Sequence, residues 1–259
     1  GCARAGRTYI FRRTATSWSS AVEDTPLSSS NIVADARFGT SLALSDDGKT
    51  LLVGADGYGA SSGKAYVFRE SGTGAWSFQA QLSPASPGQH DEFGYSVALS
   101  PDGNAAIVGA PGKNMACPFV YSSGAWEVQT AKESVGGFGQ GVAISAEGGF
   151  LCAFVGADED TLSVNSCGAV YVYKWDISKG TDPWGSSIQS FTASNATVSA
   201  SFGWAISVTR DNRYLVVGAP GFSASGMVIG ASYLFQNKSG TWTEVAARTN
   251  PHPAASDFF

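Results

Sequence analysis

The sequence predicts an all-β fold assembled from small four-stranded antiparallel sheets. Three observations carry that expectation. A Phe-Gly pair recurs at Phe38-Gly39, Phe93-Gly94, Phe138-Gly139 and Phe202-Gly203. A Val-Gly-Ala triplet follows each, at Val53, Val108, Val155 and Val217, with its glycine 16 residues after the phenylalanine in three units and 18 in the third. An aromatic strand comes next (Ala65-Tyr66-Val67-Phe68, Pro118-Phe119-Val120-Tyr121, Val170-Tyr171-Val172-Tyr173, Ser232-Tyr233-Leu234-Phe235), and then a tryptophan: Trp76, Trp126, Trp184 or Trp242. Self-similarity at such a period is the mark of a repeat architecture.

Within the first unit the elements follow in order. Thr40–Ser45 is a strand, and Asp46-Asp47-Gly48-Lys49 turns it, with glycine supplying the positive φ of a tight hairpin. Thr50–Ala55 returns, a glycine-rich loop follows, and Lys64–Arg69 is the third strand. Ser71-Gly72-Thr73-Gly74 turns the chain into a fourth strand, about Ala75–Leu82. Short connections make neighbours pair as an antiparallel meander. Both faces of these strands are apolar, so both must be covered. Four-stranded sheets stacked radially satisfy this, which is a β-propeller. No segment holds the 3.6-residue period of a helical repeat.

The four segments FGTSLALSDDGKTLLVGA, FGYSVALSPDGNAAIVGAP, FGQGVAISAEGGFLCAFVGA and FGWAISVTRDNRYLVVGAP resemble FG-GAP repeats, the units of the integrin-α propeller and of many cell-surface proteins. The proline of the signature stands at Pro111 and Pro220 and is replaced by Asp56 and Asp158. The resemblance covers nearly the whole chain and places full blades at 38–82, 93–130, 138–191 and 202–247. Residues 1–20 read as a half blade, with Gly6–Phe11 as a third strand and Trp18 in the fourth. Residues 258–259 read as the start of a further blade. The resemblance implies seven blades in a complete ring, so missing sequence or a neighbouring molecule is expected to complete it.

The chain has 259 residues, 14% of them charged, and a net charge of −5. A mildly acidic surface gives no electrostatic reason to bind nucleic acid or an anionic membrane, and no apolar run reaches the ~20 residues of a membrane span. Asn195-Ala196-Thr197 and Asn237-Lys238-Ser239 are N-glycosylation patterns in expected turns. With few charges and many Ser, Thr and Gly, they favour an extracellular or cell-surface protein. The acids Asp35, Asp91 and Asp257, each shortly before an aromatic unit opening, are read as turn caps.

The family resembled carries calcium in acidic blade loops. Here the corresponding turns, Asp46-Asp47-Gly48, Pro101-Asp102-Gly103, Ala146-Glu147-Gly148 and Arg210-Asp211-Asn212, are too short for the ~6–8 oxygen ligands calcium takes. Calcium is therefore not expected, nor any other cofactor. Asp158 and Asp160 form the one remaining acidic cluster, a weak metal candidate against a solvated loop. His90 and His252 read as exposed loop residues, no activated serine accompanies them, and no catalytic constellation is found. Trp18, Trp76, Trp126 and Trp242 share one place in the repeat and read as packing between outer strands. Trp184, in the inserted stretch Asp176–Gly185, is the exposed-aromatic candidate for a binding loop. Cys152 and Cys167 should lie at opposite ends of a hairpin, on the order of 15 Å apart at ~3.3 Å per residue, beyond the ~7 Å a disulfide spans. Cys117 and Cys167 are the better pair.

These readings converge on a non-catalytic adhesion, binding or structural module that engages protein, glycan or copies of itself. The alternative is the propeller domain of a larger secreted hydrolase.

Overall fold

The computed structural model describes residues 4–13, 21–28, 33–72, 74–147, 149–176 and 184–252. Two short strands, β1 (Phe11–Arg12) and β2 (Val22–Glu23), form an antiparallel pair. Four four-stranded meanders follow. The first is β3 (Leu42–Leu44), β4 (Thr50–Ala55), β5 (Lys64–Glu70) and β6 (Trp76–Leu82). The second is β7 (Ser96–Leu99), β8 (Ala105–Ala110), β9 (Met115–Ser122) and β10 (Ala125–Val128), with β11 (Lys132–Glu133) added beside β9. The third is β12 (Phe138–Glu147), β13 (Phe150–Ala157), β14 (Ala169–Trp175) and β15 (Trp184–Phe191). The fourth is β16 (Ala205–Val208) and β17 (Tyr214–Ala219), then β20 (Ala231–Lys238) and β21 (Thr241–Arg248). The small hairpin of β18 (Ser223–Ala224) and β19 (Met227–Val228) sits between β17 and β20.

The sheets stack face to face, as a period-two strand with two apolar faces requires. In the first sheet Leu51, Val53, Tyr66 and Phe68 pack toward Leu27 and Ile10. Leu52, Ala65 and Val67 pack on Val97, Val108 and Phe119 of the second. Ala98, Ile107 and Ala116 meet Val142, Val155 and Trp175 of the third. Phe154, Val170 and Val172 then meet Leu215, Val217 and Tyr233 of the fourth. This is the β-propeller arrangement.

The two glycine signatures are the stitches between sheets. The Phe-Gly glycines have φ of 94°, 92°, 101° and 99° at Gly39, Gly94, Gly139 and Gly203, values natural only to glycine. Each of three lays its carbonyl against the preceding sheet, where a side chain on Gly54, Gly109 or Gly156 would overlap the oxygen of Gly94, Gly139 or Gly203. The hydroxyls of Ser41 and Ser96 donate to the carbonyls of Gly94 and Gly139, both at 2.7 Å. Parallel bridges join Gly6 to Phe38, Gly63 to Phe93 and Gly168 to Phe202.

At the opposite end of the inner strands, the first turns gather. The Asp46 amide donates to the Pro101 carbonyl at 3.0 Å, Ser145 Oγ donates to Asn212 Oδ1 at 2.6 Å, and Arg210 Nε lies 2.6 Å from Asp46 Oδ2. That last ion pair joins the fourth sheet to the first.

Three expectations need correction. Pro111–Lys113 forms a compact 3-10 turn, so β9 begins at Met115, and Ala116 rather than Pro118 occupies the place of Ala65, opposite the inner glycine. Cys117 therefore lies inside a strand facing the first sheet and not at the sheet's end. Cys117 and Cys167 are both free and buried, as is Cys152, and the expected bridge is not formed. Cys167 instead points into its own loop, with Sγ 3.7 Å from the Asp160 carbonyl. Trp184 is also not exposed. It is 2% accessible, stacks on Trp175 at 5.7 Å between centroids, and donates from Nε1 to the Thr130 carbonyl at 3.0 Å. Residues 177–183 of the inserted stretch, along with Cys2, Trp18 and Asp257–Phe259, lie outside the described residues.

Candidate functional site

The end of the stack where the Phe-Gly pairs and Val-Gly-Ala triplets meet carries the unusual polar side chains. The residue after each Phe-Gly lies there: Thr40, Tyr95, Gln140 and Trp204. So does the residue after each Gly-Ala: Asp56, Pro111, Asp158 and Pro220. Tyr95 stands where three sheets meet. Its hydroxyl accepts a hydrogen bond from Gln140 Nε2 of the third sheet at 3.0 Å. Burial raises its pKa, and the charges of Glu92, Asp158 and Asp56 raise it further.

The carboxylates of this rim are buried. Asp56 is fully inaccessible and Asp158 and Asp160 are 6% accessible, so the acidic stretch Asp158-Glu159-Asp160 is not the solvated loop its composition suggests. Arg37 Nη2 lies 2.9 Å from Asp56 Oδ2, yet burial outweighs that attraction and raises the Asp56 pKa. Burial, with the neighbouring charge of Glu159, pushes Asp158 up to about 6. Asp160 accepts from the Tyr171 hydroxyl at 2.8 Å, and burial beside that carboxylate pushes the phenol up to about 12. Asp158 and Asp160 thus face different partners. Among the described residues no three His, Cys, Asp or Glu side chains gather to hold a metal.

The first turns do not fit calcium either. Asp47 Oδ1 accepts from Ser45 Oγ at 2.6 Å and from the Lys49 amide at 2.9 Å, and these bonds, the hydroxyl's first, hold its carboxyl below the usual range. Ser100–Asp102 and Thr209–Asp211 repeat the arrangement at 2.5 and 2.6 Å. Asp47, Asp102 and Asp211 already close their own loops, and Asp46 is paired with Arg210, which is far short of a calcium shell.

Of the other residues singled out, Asp91 is a turn cap, with Oδ2 accepting from the Gly88 amide at 2.6 Å. His90 and His252 are exposed. Asn195 is exposed, and its Oδ1 accepts from the Tyr233 hydroxyl at 2.8 Å. Asn237 sits in the β20–β21 hairpin with both ends of its amide engaged: Nδ2 donates to the Asn212 carbonyl at 3.0 Å, and Oδ1 accepts from the Gly240 amide at 2.8 Å. Tyr95 and Gln140 were not singled out in the sequence. The signal available was their shared place after Phe-Gly, where the four units carry Thr, Tyr, Gln and Trp.

A family model for the FG-GAP repeat matches residues 22–68, 76–125 and 186–235, more than half of the chain. The chain belongs to the FG-GAP repeat family. The stretch 126–185 outside the match includes the first three strands of the third sheet, where the FG-GAP spacing widens to 18. No curated protein matches the chain. Among solved structures, this FG-GAP chain is similar to the periplasmic gluconolactonase PpgL of Pseudomonas aeruginosa, at TM-score 0.61 and 15% identity over 98% of this chain and 68% of that one. It is similar to hydrazine synthase of Kuenenia stuttgartiensis at TM-score 0.55 and 15% identity, over 86% of this chain and 52% of that one. A protein from Lactobacillus plantarum matches at TM-score 0.55 and 14% identity, over 95% and 65%. The FG-GAP chain thus spans about half of the hydrazine synthase chain and just under two thirds of the Lactobacillus one. At these identities the likeness shows the fold.

Proposed function

We propose that the chain is a non-catalytic adhesion or binding module of an extracellular or cell-surface protein, engaging protein or glycan through the Phe-Gly end of its propeller. One observation supports this most: the half-buried Tyr95, held by Gln140 and backed by the buried carboxylates of Asp56 and Asp158, is fixed on one rigid rim by groups from three sheets. Polar groups fixed on a rigid scaffold are how such folds recognise ligands. No nucleophile or metal takes part in the arrangement proposed. N-glycosylation at Asn195 and Asn237 belongs to the same reading. Asn195 is the more accessible acceptor, because the amide nitrogen of Asn237 is already committed to the Asn212 carbonyl.

The test is binding by the native protein to arrays of glycans and surface proteins, beside the Gln140→Ala and Tyr95→Phe variants. A specific ligand lost on Gln140→Ala, with unfolding unchanged, is the expected result. Binding that ignores both substitutions overturns the assignment to this rim. Intact-mass analysis of the protein from its own cells should show a glycan at Asn195, and an unmodified cytosolic protein would contradict the extracellular reading.

The alternative is the propeller domain of a larger secreted hydrolase. Hydrolase activity in the full-length protein that carries this chain would select it.

A further inference from the structure

The repeat leaves one buried charge without its counter-ion. Arg37 and Gly137 hold the same place, directly before Phe-Gly, and share a left-handed backbone with φ of 53° and 74°. Asp56 and Asp158 hold another shared place, directly after Gly-Ala. In the first unit the two places answer each other, with Arg37 Nη2 2.9 Å from Asp56 Oδ2. In the third unit glycine removes the cation, and a side chain begun at Gly137 would overlap Asp158 Oδ1. Asp158 keeps the burial, at 6% accessible. Its carboxylate takes a hydrogen bond from its own amide and from no other described residue. A buried carboxylate in that condition is costly, and a partner that supplies positive charge relieves the cost.

The groups around Asp158 are acceptors too. Gln140 is 7% accessible and donates from Nε2 to the Tyr95 hydroxyl at 3.0 Å, while its Oε1 takes no hydrogen bond from a described residue. The Gln140 amide donates to the Gly137 carbonyl at 2.9 Å, so Gln140 and Asp158 flank one turn. Tyr95 reaches the same place from the second sheet, half-buried and in the field of Glu92, Asp158 and Asp56. Arg37 is already committed to Asp56. A planar guanidinium suits one carboxylate gripped through two bonds. Separate carboxylate, amide and phenol oxygens instead suit a compact group that only donates, and a primary ammonium has three donors, no acceptor and a full charge. The phenol ring decides what carries it, because an aromatic face beside fixed polar groups suits the apolar face of a sugar ring. We propose that Asp158, Gln140 and Tyr95 form a recognition site for the primary ammonium group of an amino sugar. This inference rests on the rim reading given above and narrows it to one ligand class.

The experiment titrates the native protein at neutral pH with glucosamine and with N-acetylglucosamine. Binding is followed through the ring signals of isotope-labelled tyrosine, with Tyr95 assigned by Tyr95→Phe. Saturable movement of the Tyr95 signal by glucosamine, and none by N-acetylglucosamine, is expected, since acetylation removes the charge and most of the donors. Asp158→Asn, with its urea midpoint checked, should weaken glucosamine binding by about thirtyfold, as when one partner of a buried charged pair is removed. An equal response to the two sugars overturns the proposal, as does native-like binding by Asp158→Asn. Tighter binding of N-α-acetyl-lysinamide than of glucosamine would assign the ammonium to a protein side chain and overturn the amino-sugar assignment. An array ligand that needs Gln140 but no amine, with glucosamine silent, leaves the rim reading standing and removes this inference alone. Glucosamine binding unmoved by Gln140→Ala and Tyr95→Phe removes both.

Discussion

A single missing side chain at Gly54, Gly109 and Gly156 sets how closely the sheets approach. A methyl group there meets a backbone carbonyl, which cannot turn aside. Gly109→Ala is therefore expected to destabilise by about 2–3 kcal/mol, the upper range for overpacking. Gly218→Ala, in the same triplet but meeting only ordinary van der Waals contacts with Ala205 at 3.6 Å and beyond among the described residues, should stay within about 0.5 kcal/mol. Urea unfolding of the two variants separates them. The sequence marks all four glycines alike, because a triplet records the repeat and not how closely another described segment approaches it. Asp158 gives a second prediction. Its carboxyl titrates at about 6 in the fold and at about 4 in an unfolded chain. Between those values the folded state holds the extra proton, so this residue's contribution to stability is greatest below about pH 4 and declines as pH rises to about 6. Asp158→Asn should remove that slope in urea midpoints measured across the range. The replacement of proline by Asp158 is visible in the sequence. Its burial is not, since three consecutive acids look like a solvated loop until the Gly136-Gly137 backbone closes over them.

Among the elements, the hairpins were the most legible. Ser45, Ser100 and Thr209 each precede an acid by two residues, and their hydroxyls accept the returning amides of Thr50, Ala105 and Tyr214 at 2.9, 2.9 and 3.0 Å. Turn chemistry of this kind is local and needs no knowledge of the fold. The third strands were less legible. Aromatic residues alternate in β9 as in β5, and a shift of two residues preserves which face each side chain occupies, so only the 3-10 turn at Pro111–Lys113 fixes where β9 begins. The fourth strands pack backward through their tryptophans: Trp126 Nε1 donates to Gln79 Oε1 at 3.0 Å, and Trp242 meets Phe154 edge-on at 5.3 Å. Trp184 does the same, and its position after the insertion concealed this. Trp184→Ala should cost about 3–5 kcal/mol, as for a large aromatic removed from a core, where an exposed loop residue would cost almost nothing. Chemical denaturation decides between the two.

At the scale of the molecule, stability is a chain of neighbour contacts, each sheet resting on the next, as in other stacked repeats. The legible part of this was the repeat itself. Which polar residues meet at the rim was not, because Tyr95, Gln140, Asp56 and Asp158 come from three units and no local pattern links them. The Arg210–Asp46 pair joins the first and fourth sheets across the turns, but Arg210 is largely exposed, and such pairs are worth less than about 1 kcal/mol. The free thiols have a further consequence, because each marks a different seam. Cys117 is packed between the first and second sheets and Cys152 between the third and fourth. Burial pushes their pKa values up to about 12 and about 11, so neither reacts while its seam is shut. The two cysteines are thus a pair of chemical clocks, one for each half of the stack. The first sheet is backed by Leu27 and Ile10, whereas Val216 on the outer face of the fourth stands partly open to solvent. In pulsed alkylation at rising urea, Cys152 should be labelled before Cys117; the reverse order would mean that the stack comes apart from its other end.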